Sequence, residues 1–110
     1  MNNCDLLENA LQNLSEPIVI INLNHSIVYM NKKGAEQYKD SGGINLLGAS
    51  AFDCHNSKSI RRIVELTAIL KSGEEEWLEG ENSSKKSFIR AVRDKYNNFI
   101  AYYERYEFLK

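Results

Sequence analysis

The stretch Ile18-Val19-Ile20-Ile21-Asn22-Leu23-Asn24-His25-Ser26-Ile27-Val28-Tyr29-Met30-Asn31 decides the fold. Ile18 to Leu23 is apolar and β-branched, which predicts a buried strand. Ser26 to Met30 predicts the returning strand. Only Asn24-His25 separates the two, the length of a two-residue hairpin turn, although the preferred glycine is missing. The first sheet unit is therefore expected to be a tight antiparallel hairpin.

Upstream, Asp5 to Leu14 is predicted to be a short helix. Leu7, Ala10, Leu11 and Leu14 share one face, and Asp5 is placed to cap its start. Ser15-Glu16-Pro17 stops it, because proline disfavours a helical residue before it. Downstream, Asn31 caps a short helix from Lys32 to Tyr38, which Asp40-Ser41-Gly42-Gly43 breaks. Leu46 to Cys54 is irregular or made of short turns. Asn56 or Ser57 then caps a long helix, Lys58 to Lys71, with Ile60, Ile63, Val64, Thr67 and Leu70 as its inward stripe. Ser72-Gly73 ends it.

Three strands are expected after that helix: Glu74 to Leu78, Lys86 to Arg93 and Phe99 to Phe108, with Glu79 to Lys85 as a polar loop. Alternation puts Ile100, Tyr102, Tyr106 and Phe108 on one face of the last strand, and Phe99, Ala101 and Tyr103 on the other. Both faces carry apolar bulk, so both need cover. The N-terminal helix or a second subunit is the natural cover for one. The element order predicts an α+β fold, a five-stranded antiparallel sheet with helices packed on it.

At 110 residues the chain supports one domain and one modest core. Fourteen Lys and Arg against fifteen Asp and Glu give a net charge of -1. That balance argues against direct nucleic-acid binding and against an anionic membrane surface. No apolar run approaches the roughly 20 residues that span a bilayer, and Met1-Asn2-Asn3-Cys4-Asp5 lacks the features of a signal peptide. A cytoplasmic location is expected, with Cys4 and Cys54 reduced. Cys4, His25, Cys54 and His55 lack the paired spacing of a zinc site, so no metal is expected.

Several segments, in this order, resemble those of a PAS domain. Leu11-Gln12-Asn13-Leu14-Ser15-Glu16-Pro17-Ile18-Val19-Ile20-Ile21 is similar to the helix, break and "I/V-x-I/V" strand that open such domains. Ile27-Val28-Tyr29-Met30-Asn31-Lys32-Lys33-Gly34-Ala35 is similar to the "I-x-Y-x-N-x-A" passage, with Gly34 intervening. Leu47-Gly48-Ala49-Ser50-Ala51-Phe52 resembles the "L-x-G-k-s-x-f" segment, and Arg93 to Ile100 the turn before the last strand. Cys54-His55-Asn56-Ser57-Lys58-Ser59 resembles a "C-H-x-x-K-S" pattern of a bacterial PAS subgroup. The resemblance implies residues 1–15 as an N-terminal helical cap and 16–110 as a PAS core. It further implies a non-enzymatic sensor that binds a small ligand or senses redox state, relaying the signal through a homodimer or a separate output protein. The "D-I-T" ending and coiled linker of many PAS domains do not follow Tyr106-Glu107-Phe108-Leu109-Lys110. An excised domain or a separate partner is expected on that ground.

Cys54, His55, Trp77, Phe88 and Arg90 are the candidate ligand-binding residues. Cys54 and His55 sit at the start of the long helix, whose amides and dipole either lower a thiol pKa or simply need organising. The structural reading of the pair weighs more. His55 is also a candidate haem ligand, although no "C-x-x-C-H" attachment motif exists; haem and flavin are the cofactors a PAS cavity implies. A Cys54 nucleophile lacks a base, since adjacent residues of an extended segment point apart. His25, in the predicted turn, is expected to be solvent-exposed. Arg90 is expected on one face with Phe88 and Val92, its charge at the rim. Leu7, Leu11, Leu14, Ile100, Tyr102 and Tyr106 are the expected dimer or partner surface.

Overall fold

The Ile18–Asn31 stretch forms the predicted hairpin, with β1 (Val19–Asn22) antiparallel to β2 (Ile27–Met30). The structure, a computed structural model, describes residues 1–54 and 56–109, except the side chain of Cys54. The turn is one residue longer than expected. His25 N donates to Asn22 O and Asn22 N to Ser26 O, so Leu23, Asn24 and His25 form the loop. His25 takes the left-handed conformation (φ 62°), a position histidine tolerates better than most residues. Asn22 Oδ1 holds the loop by accepting from Asn24 N and Ser26 N, both at 3.0 Å.

The remaining elements are α1 (Asn3–Gln12), α2 (Lys32–Gln37), three short 3-10 turns, α3 (Ser57–Lys71), β3 (Glu76–Glu81), β4 (Lys85–Arg93) and β5 (Phe99–Phe108). The sheet order is β2-β1-β5-β4-β3, with every neighbouring pair antiparallel. Expected helix caps hold at Asn31 and Asn56, whose side chains accept from Gly34 N and Ser59 N. At α1 the cap is Asn2, not Asp5, because Asn2 Oδ1 accepts from Asp5 N at 2.8 Å. Strand β3 begins later than predicted and runs through Glu79-Gly80-Glu81, which the polar sequence had marked as loop.

One sheet face, here the inner, is covered by α3 and the segment between β2 and α3. Its core includes Val19, Ile21, Ile27, Met30, Ile63, Leu66, Leu70, Ile89 and Tyr102. On α3, Leu66 is fully buried, whereas Val64, assigned to the inward stripe, is 49 % exposed. The helix therefore faces the sheet along Ile63, Leu66 and Leu70, a stripe rotated from the one predicted.

Strict alternation fails where the ladder slips. Between β4 and β5, Val92 pairs with Ala101 but Arg93 with Phe99, so Ile100 is an extra residue and turns outward. Phe99 packs against the core in its place. Tyr102 and Tyr106 are 1 % and 5 % exposed, so they belong to the core and not to the outer surface expected of them. Only Ile100 of that trio is available outside.

Asn31 is fully buried and uses every polar group it has. Its Oδ1 accepts from Ile18 N (3.0 Å) and Gly34 N (2.7 Å), and its Nδ2 donates to Leu11 O (3.1 Å) and Glu16 O (2.9 Å). One amide thus ties the end of α1, the start of β1 and the cap of α2. Gly34 has no side chain because a Cβ there would sit 2.6 Å from Ile18 O. Helix α1 is attached mainly at this end, where Gln12 also bonds Lys32 N and Met30 O. None of its residues is buried.

Candidate functional site

Register builds the site. Across the inner face, Met30, Val19, Glu104, Ile89 and Trp77 form one cross-strand row. Glu104 is the charged member of that row, flanked by buried Val19 and Ile89, where an ionised carboxylate needs hydrogen bonds. Tyr106 supplies one: its hydroxyl donates to Glu104 Oε2 at 2.9 Å. Tyr38, from α2's C-terminal end, lies 2.9 Å from the Tyr106 hydroxyl and 3.4 Å from the same carboxylate oxygen. Burial first, and the Glu104 charge second, raise the pKa of Tyr38, Tyr106 and Tyr102, so all three phenols stay protonated.

Glu79 approaches from β3. The ladder slips between Leu78 and Gly80, and this break sets Glu79 outside the regular pairing. Its Oε2 is out of contact with solvent and has no hydrogen-bond partner. Burial, followed by the charge of Glu104, pushes its pKa up to about 7; Arg62 and Lys85 oppose this. Beside it lies a groove of about 450 Å3, with Lys58, Ser59, Arg62 and Ile63 of α3 on one wall and Gly80 and Ser87 on the other. The arrangement can accept a hydrogen-bond donor at Glu79 while Arg62 and Lys58 balance negative charge.

His25 is half-buried, contrary to expectation. Its ring stacks on Phe52 with centroids 4.3 Å apart, and its Nδ1 lies 2.8 Å from the Tyr102 hydroxyl. Burial lowers its pKa, which keeps the imidazole neutral near pH 7.

The residues predicted to bind a ligand are not gathered in one place. Phe88 and Arg90 share the outer face. Arg105 lies over the Phe88 ring at 4.4 Å and forms a bidentate pair with Glu76 (2.8 and 3.0 Å). Arg90 adds a longer contact to Glu76 at 3.6 Å. Its charge is therefore answered at the surface. Trp77 belongs to the inner row, but on edge strand β3, and is 42 % exposed. His55 and the Cys54 side chain lie outside the described residues. The Glu79–Glu104 pair escaped sequence reading, although Tyr102, Glu104 and Tyr106 share one parity and placed a carboxylate between two large aromatics.

Among the described residues, the space under the sheet does not fit haem or flavin. The space lined by Met30, Tyr38, Leu46 and Glu104 among others is about 20 Å3. That holds about one water, whereas small-molecule sites run from roughly 300 Å3 upward. Among the described residues, no three His, Cys, Asp or Glu side chains cluster as metal ligands. No helix is long and apolar enough to cross a membrane among those residues.

No family model and no curated protein matches the sequence. Solved structures match it closely in shape. A C-terminal domain from Streptococcus mutans superposes with a TM-score of 0.79 at 18% identity, covering 100% of this chain and 90% of that one. A PAS domain from Colwellia psychrerythraea gives 0.71 at 12% identity, covering 98% of each chain. A sensory box sensor histidine kinase from Vibrio cholerae gives 0.63 at 13% identity, covering 97% and 92%. The chain has the PAS fold.

Proposed function

We propose that this PAS-fold chain is a non-enzymatic sensory module, which receives a small ligand beside Glu79 and passes the signal to a protein partner. The observation that carries this reading is the Glu79 carboxylate itself. It holds one oxygen out of water without a partner, next to a second carboxylate and an open groove. Such a group costs stability. A ligand that brings a hydrogen-bond donor recovers that cost, and perturbed groups of this kind concentrate at functional sites. Binding is favoured over chemistry because the tyrosines on Glu104 remain protonated donors. The likeness to a sensory box adds support by analogy of fold alone.

The relay runs through the sheet. Glu104 lies in β5, and the next residue in the strand, Tyr103, faces the outer side between Ile20 and Arg90. A second copy docks there and along α1 and the residues that follow it, where Leu7 and Leu14 are exposed. Leu11 and Ile100 complete that surface. The near-neutral charge favours a protein partner over nucleic acid or an anionic membrane.

Native mass spectrometry of the purified chain tests the ligand. A small-molecule adduct is expected on the wild type and is lost in Glu79→Gln. An adduct retained in full by that variant, or bare protein after incubation with a lysate small-molecule fraction, overturns the reading.

A further inference from the structure

We infer that a second groove, at the other end of α3, binds a small organic carboxylate with an apolar body. It lies between the second half of α3, the Leu23–His25 turn and the turn from β4 to β5. Its volume is about 630 Å3, within the usual range for small-molecule sites. It is distinct from the Glu79 groove, and the two have no lining residue in common.

The floor is apolar. Leu23 and Val64 are 48 % and 49 % exposed and, with Ala68 and Phe99, offer a patch that water covers poorly. The rim is cationic and amide-rich, with Lys71, Arg93, Asn97 and Asn98, and no acidic side chain lines it. The nearest carboxylate in sequence, Asp94, is committed to its own turn, accepting from Tyr96 N, Asn98 N and Asn98 Nδ2. Arg93 is held by Leu70 O and Glu74 O, at the C-terminal end of α3, so its position is fixed. Charge and apolarity together select an anion with a hydrocarbon body.

His25 also lines the groove and offers it a donor. Tyr102 stays protonated, and its hydroxyl lies 2.8 Å from His25 Nδ1; with the phenol as donor, that nitrogen is the acceptor. The neutral ring then carries its proton on Nε2, the donor left for a ligand carboxylate. Tyr102 is 1 % exposed and pairs with both Ile21 and Ala91 in the centre of the sheet. An occupied groove therefore pulls on the middle of β5 through one hydrogen bond.

The test is a titration of the full chain, followed by amide NMR, with hexanoate, hexanol and hexylamine as probes. Hexanoate is expected to give saturable shifts in the Leu23–Ser26, Val64–Lys71 and Asn97–Phe99 amides, and at Tyr102. Hexanol and hexylamine are expected to bind about tenfold more weakly or not at all. Lys71→Ala is expected to weaken hexanoate about tenfold, and Ala68→Trp, which fills the groove from an exposed position of α3, to abolish binding at unchanged thermal stability. Equal binding of hexylamine, an unchanged affinity in Lys71→Ala, or the absence of saturable shifts at millimolar hexanoate overturns the assignment.

Discussion

Glu79 carries a carboxylate to a place where burial and the Glu104 charge both oppose its ionisation. The consequence for stability has a definite sign. In the unfolded chain Glu79 titrates near 4.5, and in the folded chain at about 7. Between those values the folded state holds the extra proton, so stability falls as pH rises through the window. The loss is complete above the folded pKa and amounts to roughly 3 kcal/mol. Glu79→Gln is expected to remove that part of the slope, so the variant exceeds the wild type in urea midpoint at pH 8 and equals it near pH 4.5. Parallel curves for the two proteins would show that Glu79 does not titrate in this range. Glu76 acts in the opposite sense at lower pH, since Arg105 holds its pKa below the usual value and that stability disappears in acid.

At the scale of elements, α3 gives the sharpest contrast between pattern and packing. Leu66 is fully buried and Val64 half-exposed, although the periodicity admitted Val64 to the inward stripe and left Leu66 out. Leu66→Ala is expected to cost roughly 2–5 kcal/mol, and Val64→Ala less than about 1 kcal/mol. Chemical denaturation of both variants checks the order, and a larger loss at Val64 would place the other stripe against the sheet. The hairpin, the caps at Asn31 and Asn56 and the extent of β5 were legible from local chemistry. What was not legible lies at the bulges. Ile27 and Met30 both face inward because Val28 is an extra residue in β2, and Phe99 replaces Ile100 inside for the same reason. A period of two has no place for these insertions, which depend on the partner strand. The same blindness hid the site: Glu79 reads as loop, and becomes a half-buried carboxylate only through a slipped ladder and a neighbour from β5.

For the whole molecule, the five-stranded antiparallel fold followed from the sequence of elements, while the strand order and the division between inner and outer faces required the structure. That division moves Tyr102 and Tyr106 from the expected partner surface into the core and leaves α1 as the main apolar outlier. Leu6, Leu7 and Leu14 expose apolar surface that a second copy would cover. Leu7→Glu is expected to shift the proposed dimer to monomer in size-exclusion chromatography with light scattering, at unchanged thermal stability, since Leu7 has no buried contact to lose. A wild-type mass for the variant would remove α1 from the interface.

Asn31 gives α1 one more property. Of the four bonds made by its amide, only that to Leu11 O belongs to the helix; the others hold β1, α2 and the Glu16 loop. The fastening recognises a backbone carbonyl and is indifferent to the side chains of residues 3 to 10. Substitution can therefore rewrite that helix freely. New partner preferences can arise on one side of the joint while the core on the other side stays unchanged.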